Sequence, residues 1–183
     1  MKRYAVLLFL LACLVKTGFA QTREQTTVQT ANLDLATIKD AVSVSYLNFP
    51  WGEVTFSYIE HGTKGTYYGE RTWPFAELDT KVPLTLEGTK INPGQFALVI
   101  VPGEDVKPMT LSVVQFDGAT FVKPGNVFSP APKGNVVYKK DVSFSTVDAL
   151  SDHMKIDLAS TGQGFDLIVN YGNRRLTKSF ITK

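Results

Sequence analysis

From position 42 onward, apolar and polar residues alternate with a period of two. Valine and tyrosine alternate with serine at residues 42–46, and a similar alternation recurs at residues 54–58 and 82–86. This period places one face of a β-strand against a core and the other face in solvent. The pattern therefore predicts a strand at each of these three places.

A different kind of apolar segment, Phe96–Val101, has no polar interruption, and Pro102 and Gly103 end it. A short continuous apolar run is typical of a central strand that is covered on both faces. Further strands are predicted at residues 136–138, 142–147 and 154–158, together with a single helical turn at residues 147–151.

Two dipeptides predict tight turns between strands. Asp117-Gly118 separates segments 110–116 and 119–123, and Gly172-Asn173 separates segments 164–171 and 175–181. Both dipeptides tolerate the positive φ angles that two-residue hairpin turns require. Each is therefore predicted to join two antiparallel strands.

These elements amount to nine to ten strands with no long amphipathic helix between them. Strands without crossover helices pair antiparallel, so the predicted fold is all-β, an antiparallel β-sandwich, with a closed β-barrel as the alternative. Residues 41–183 are predicted to form this single domain. The longest irregular stretches are predicted at residues 50–52, 60–75 and 123–134.

The amino terminus has the features of a secretory signal. Lys2 and Arg3 precede an uncharged, largely apolar run over residues 4–15, which is too short to span a bilayer, and Gly18-Phe19-Ala20 suits cleavage before residue 21. We therefore expect residues 1–20 to be a cleavable signal peptide that directs the protein to the periplasm or the extracellular space. The alternative is a lipoprotein anchored at Cys13. Residues 21–40 are predicted to be a flexible or partly helical lead-in.

Composition narrows the function classes. Removing the signal removes three of the 19 basic residues and none of the 17 acidic ones, which leaves a net charge of −1. A near-neutral chain without a basic run argues against nucleic-acid binding. The single cysteine, Cys13, lies in the signal, so the mature domain has no disulfide or cysteine nucleophile. No mature segment is apolar enough to predict a transmembrane helix.

Catalytic and metal-site candidates are few. His61 follows Glu60 and His153 follows Asp152, but neither histidine has a partner at a metal-ligand spacing. Neighbouring residues of a strand point to opposite faces, so we expect each acid to be badly placed to share a site with its histidine. No motif indicates a metal, a cofactor or a catalytic residue.

The segment 65–78 has the most unusual composition, because aromatic residues alternate there with charged ones. On an exposed face they would form a carbohydrate-stacking or protein-binding patch. The candidate ligand-binding residues are Tyr67, Tyr68, Glu70, Arg71 and Trp73. The alternative interpretation is that Trp73 and Phe75 plug one end of the sandwich while Glu70 and Arg71 form an ion pair.

The run Gly94-x-Phe96-x-Leu98-x-x-Val101-Pro102-Gly103 resembles the Gly-x-Tyr-x-Leu-x-x-Ile-Pro-Gly stretch of a family of secreted bacterial proteins. That family is common in Bacteroidetes and is known as a domain of unknown function. An early strand at residues 54–58, a Gly69-Glu70 step and a final basic strand are similar too. Family members carry Gly-Glu-x-Trp-Arg-x-Gly-Ala-Asn-Glu, whereas Arg71-Thr72-Trp73 follows here, without the Asn-Glu pair. The resemblance implies a secreted β-sandwich and brings no reaction with it.

The sequence thus favours an exported, non-enzymatic binding or interaction module, with a glycan or a cell-envelope protein as the candidate ligand. One alternative is a hydrolase or metal-dependent enzyme whose site is assembled from distant residues, namely His61, Glu70, Arg71 and His153. Another is a structural protein of the envelope. Convergent titratable groups in a pocket would favour an enzyme, and an exposed aromatic patch would favour a binding module.

Overall fold

The structure is a computed structural model that describes residues 26–62, 72–103, 107–116, 128–130 and 132–182. Within these ranges it contains ten strands and one helix. In chain order they are β1 (Val28–Leu35), β2 (Ile38–Leu47), α1 (Glu53–His61), β3 (Trp73–Thr80), β4 (Leu84–Leu86), β5 (Thr89–Ile91), β6 (Gly94–Val101), β7 (Met109–Gln115), β8 (Asn135–Val142), β9 (Ser145–Ser160) and β10 (Gly164–Thr182).

The described strands form two sheets in which every pairing is antiparallel. One sheet has six strands in the order β1-β2-β3-β6-β7-β8, and the other has the order β5-β4-β10-β9. The two sheets do not close into one barrel. The predicted all-β antiparallel sandwich is therefore confirmed, and the strand number agrees with the predicted nine to ten.

One large apolar cluster includes side chains from both sheets. Val44 of β2 and Leu98 of β6 come from the six-stranded sheet, and Phe165 and Leu167 of β10 come from the other. Each is almost completely buried. Burying a side chain of this size stabilises the fold by about 1.5–3 kcal/mol relative to leaving it in water.

Strand β6 lies between β3 and β7, as its uninterrupted apolar sequence predicts. Phe96, Leu98 and Ile100 join the main core, whereas Ala97 and Val99 join a second buried cluster on the other face. The prediction of a central strand that is covered on both faces is confirmed.

Strand β10 folds back on itself at Gly172, which has a φ of 61°. Near the ends of the strand, Thr182 N donates a hydrogen bond to Gln163 O at 2.9 Å, and the rings of Phe165 and Phe180 stack with centroids 4.9 Å apart. A straight strand of this length would hold these ends tens of ångströms apart. The predicted hairpin at Gly172-Asn173 is confirmed, with glycine at the first turn position as a type II′ turn requires.

The predicted lead-in over residues 21–40 is wrong for the part that the structure describes. Strand β1 begins at Val28, and it pairs with β2 from Val28–Leu47 to Leu35–Ile38. The apolar pattern is weak here because β1 is an edge strand in which Leu33 alone is fully buried. Backbone pairing with β2 compensates for the shortage of buried side chains.

The predicted strand at residues 54–58, which also entered the family resemblance, is a helix. Helix α1 buries Phe56 and Ile59, three residues apart and therefore on one helical face. Val54 and Tyr58 are 67% and 45% exposed. In a segment of only five residues, their alternation with polar residues therefore arose by chance and does not indicate a strand.

Strand β3 lies partly in a region that was predicted to be irregular. Pro74 is tolerated in this central strand because the register shifts between Pro74 and Ala76. The strand predicted across residues 142–147 is interrupted at Ser143-Phe144, where β8 passes to β9, and the helical turn predicted at residues 147–151 is part of β9.

The hairpin predicted at Asp117-Gly118 is also wrong for β7. Both edges of this strand are paired already, with β6 on one side and β8 on the other. Strand β8 is therefore its hairpin partner. Residues 117–123 lie outside the described ranges.

Candidate functional site

The aromatic patch predicted from the sequence is described at one position only. Tyr67, Tyr68, Glu70 and Arg71 lie outside the described residues. Trp73 lies in β3 and is 0% exposed. The structure therefore gives Trp73 no exposed ring on which a sugar could stack.

Trp73 belongs to a cluster at one end of the sandwich that we call the aromatic end, which comprises Trp51, Phe56, Trp73, Phe144 and Tyr171. The Trp73 ring centroid lies 5.6 Å from that of Tyr171 and 6.4 Å from that of Phe144. Tyr171 donates its hydroxyl proton to Pro50 O at 3.0 Å, and burial raises the pKa of Tyr171 to about 12. The arrangement matches the alternative interpretation, in which Trp73 plugs the end of the core.

The two histidines occupy different elements. His61 is the last residue of α1, and its Nε2 lies 3.5 Å from the Glu60 carboxylate, so the expectation that strand geometry separates this pair is wrong. His153 is part of β9 and pairs through its backbone with Pro50. No group of three metal-ligating side chains occurs within the described ranges.

A cleft of about 490 Å³ lies where the end of β8 and the start of β9 approach the second half of β10. This volume is within the range of ligand-binding pockets. Polar side chains dominate its described lining, and they are Asp141, Ser143, Ser145, Arg175, Thr177 and Lys178. The cleft therefore combines residues of both sheets at the edge of the sandwich.

The cleft follows a stretch of β10 whose outer edge pairs with no described strand. Strand β9 pairs with β10 at Arg175 through Ser145, and β4 pairs with it from Phe180 onward. Residues 176–179 lie between these contacts, and Leu176, Thr177 and Lys178 of this stretch line the cleft. Main-chain groups left unpaired in this way are ready to bond to another chain.

Lys178 is held by a cluster of charged and polar groups between the sheets. Its Nζ lies 2.6 Å from Glu87 Oε1, and its side chain is only 13% exposed. Tyr138 of β8 donates its hydroxyl proton to Glu87 at 3.0 Å, and Lys140 Nζ lies 3.2 Å from the same carboxylate. Glu87 therefore ties the β4–β5 turn to β8 and to β10.

The hydrogen bond from Lys178 is the main cause that lowers the pKa of Glu87 from 4.5 to about 2, and Tyr138 and Lys140 add to it against partial desolvation. Burial, with Glu87 as a second cause, raises the pKa of Tyr138 far above its ordinary value. The ammonium group of Lys178 is thus committed to Glu87 and not to the cleft.

Two other charged groups of the cleft are left for a ligand. Arg175 donates from Nε to Asn170 Oδ1 at 2.8 Å, which fixes the side chain but provides no opposite charge. Within the described ranges neither Arg175 nor Asp141 has an ion-pair partner. A ligand with a carboxylate would find its complement in Arg175.

Comparison of the chain with protein-family models, with curated proteins and with solved structures finds no match. The resemblance to the secreted bacterial family therefore stays a prediction. The structure itself describes no helix that is long and apolar enough to span a membrane.

Sequence reasoning missed Arg175, Thr177 and Lys178 as site residues. It placed them correctly in a final strand, but the alternation within one strand does not indicate which edge of that strand lacks a neighbour. The signal that was available is the basic character of the second half of this strand, which contains Arg174, Arg175 and Lys178.

Proposed function

We propose that this protein is an exported, non-enzymatic binding module whose ligand occupies the cleft beside β10. The observation that carries the proposal is the cleft itself, where polar side chains lie beside a stretch of β10 edge that no described strand pairs with. A stretch of this kind combines open volume with unsatisfied hydrogen-bonding groups, which is the combination that a ligand site needs.

Export is supported by the sequence of residues 1–20. The basic start, the short apolar run and the Gly18-Phe19-Ala20 step together form a secretory signal, with cleavage before residue 21. The ligand is then one that the periplasm or the extracellular space provides, such as a glycan or a cell-envelope protein.

The enzyme alternative gains no support from the described residues. His61 lies at the exposed end of α1 beside Glu60, and the titratable groups that line the cleft are Asp141, Arg175 and Lys178. Neither histidine is among the residues that the structure describes in the cleft lining. Binding is the simpler function for such a site.

The test screens the exported protein against a glycan array and a random-peptide display library. Two variants accompany the wild type. Arg175→Ala removes the guanidinium group that lines the cleft, and Lys155→Ala removes an exposed lysine of β9 elsewhere on the surface. The proposal predicts ligands that Arg175→Ala loses and Lys155→Ala keeps. Ligands that bind both variants equally, or no ligand in either library, would contradict it.

A further inference from the structure

The hydrogen-bond pattern of β10 identifies which backbone groups face the cleft. Thr182 N donates to Gln163 O across the hairpin, so even-numbered residues of the second half direct their main-chain groups toward the first half. Odd-numbered residues direct theirs outward. Arg175 uses its outward groups to pair with Ser145, and Ile181 pairs with Thr85.

Thr177 and Ser179 are the two odd-numbered residues between these pairs. Their outward N–H groups meet no described strand. Their side chains are already placed, since Ser179 Oγ donates to Asp166 across the hairpin at 2.6 Å and Thr177 lines the cleft. The outward backbone groups are therefore the part of this edge that would bind a partner.

The gap has defined ends and a defined direction. Strand β4 and the first residues of β9 both run antiparallel to the second half of β10, along the same outer edge. Residues 176–179 separate them by roughly 13 Å, which is the length of a short strand segment. A chain that entered antiparallel to β10 would join β4 and β9 into one continuous edge strand.

The core side and the solvent side of this gap differ in polarity, which suits a peptide whose side chains alternate between apolar and polar. On the core side, Leu176 and Val142 are 4% and 7% exposed and provide an apolar surface. On the solvent side, Arg175 and Thr177 are exposed. A peptide whose residues alternate between apolar and polar fits both walls, and a carboxylate on its polar face meets the guanidinium group of Arg175.

We propose that the ligand of the cleft is an extended peptide segment of a partner protein, which adds as an antiparallel strand between β4 and β9. The inference rests on the proposed function, because it names the ligand class of the same cleft. Main-chain hydrogen bonds to Thr177 and Ser179 supply affinity, and the contacts with Leu176, Val142 and Arg175 select the sequence.

The test uses peptides selected from the display library and two substitutions at one position. Thr177→Pro removes the outward N–H, which pairs with no strand in the described ranges, and Thr177→Val keeps that N–H and removes the hydroxyl. Strand addition predicts that Thr177→Pro weakens peptide binding about tenfold or more and that Thr177→Val leaves it within about twofold. Weakening by Thr177→Val alone would show recognition of the side chain and overturn the inference.

A second measurement leaves the protein unchanged. Methylating alternate backbone nitrogens of the selected peptide removes the donors that face β10, and the same peptide methylated at the intervening nitrogens is the control. Strand addition predicts that the wild type loses the first peptide and keeps the second. Equal binding of the two peptides would overturn it, even where Thr177→Pro fails to fold.

The outcomes separate this inference from the proposed function. A glycan that binds the wild type and is lost by Arg175→Ala, with no peptide bound, would overturn strand addition and leave the cleft as the binding site. Peptides that bind Arg175→Ala and Thr177→Pro as well as the wild type would overturn both.

Discussion

The aromatic end and the cleft beside β10 differ in what they leave exposed. At the aromatic end the large rings contact one another, and Trp73 and Tyr171 are 0% and 1% exposed. At the cleft most of the described side chains are polar, and a stretch of strand edge has no neighbour among the described strands. Trp73 of the unusual segment thus belongs to the core, and a strand of ordinary composition lines the cleft.

The comparison predicts that changes at the aromatic end act on stability. Replacing Trp73 by alanine removes a ring that is surrounded on all sides and should lower the free energy of unfolding by about 3–5 kcal/mol. The control is Tyr58→Ala on α1, where the side chain is 45% exposed, and it should cost less than about 1 kcal/mol. Urea unfolding measures both, and similar losses in the two variants would contradict burial of Trp73.

A substitution of Gly172, at the tip of the β10 hairpin, tests how closely the side chains of the aromatic end pack against the backbone. A Cβ on Gly172 would overlap the Trp51 ring, and its φ of 61° is strained for other residues. Gly172→Ala should therefore cost about 2–4 kcal/mol. Gly162→Ala is the matched control, since nothing lies within 4 Å of its Cβ position, and thermal unfolding should show a change within about 0.5 kcal/mol. Equal shifts would argue against the close approach of Trp51.

The Glu87 cluster beside the cleft should give a smaller, pH-dependent effect. The folded-state pKa of Glu87 lies below its ordinary value of 4.5, at about 2, so its stabilisation is present above pH 4.5 and is lost as the pH falls toward 2. The Glu87 side chain is 39% exposed, so solvent screening limits the contribution to about 1 kcal/mol or less.

Glu87→Gln should therefore be less stable than the wild type at pH 7, and the difference should shrink as the pH approaches 2. Urea midpoints measured across this range check the prediction. A difference that stays constant with pH would show that the carboxylate charge does not hold the two sheets together.

Arg175→Ala should have the smallest effect on stability. The side chain is exposed at the rim of the cleft, and we expect the free energy of unfolding to change by no more than about 0.5 kcal/mol. The same variant is expected to lose ligand binding, so stability and binding would depend on different side chains. A large loss of stability in Arg175→Ala would contradict this division.

Much of the fold was predictable because strand faces leave a clear sequence pattern. The uninterrupted run at residues 96–101 predicted the central position of β6, and Gly172-Asn173 predicted the hairpin of β10. Helix α1 was missed because a nine-residue helix with only Phe56 and Ile59 buried is too short to distinguish a period of 3.6 from a period of two.

The site was less predictable than the fold. Trp73 and its neighbours drew attention because aromatic side chains suit both cores and binding surfaces, and sequence alone does not separate the two. The open edge of β10 depends on where β4 ends and β9 begins. Pairing between residues about a hundred positions apart, such as Leu86 and Phe180, fixes that arrangement, and no local pattern encodes it.

Amide hydrogen exchange of the free protein, followed residue by residue by NMR, tests the open edge most directly. We expect the amides of Thr177 and Ser179 to exchange at least about tenfold faster than those of Leu176 and Lys178, whose N–H groups are directed across the hairpin. Slow exchange at all four positions would mean that the outer edge of β10 is already paired, and it would contradict the assignment of this cleft as the binding site.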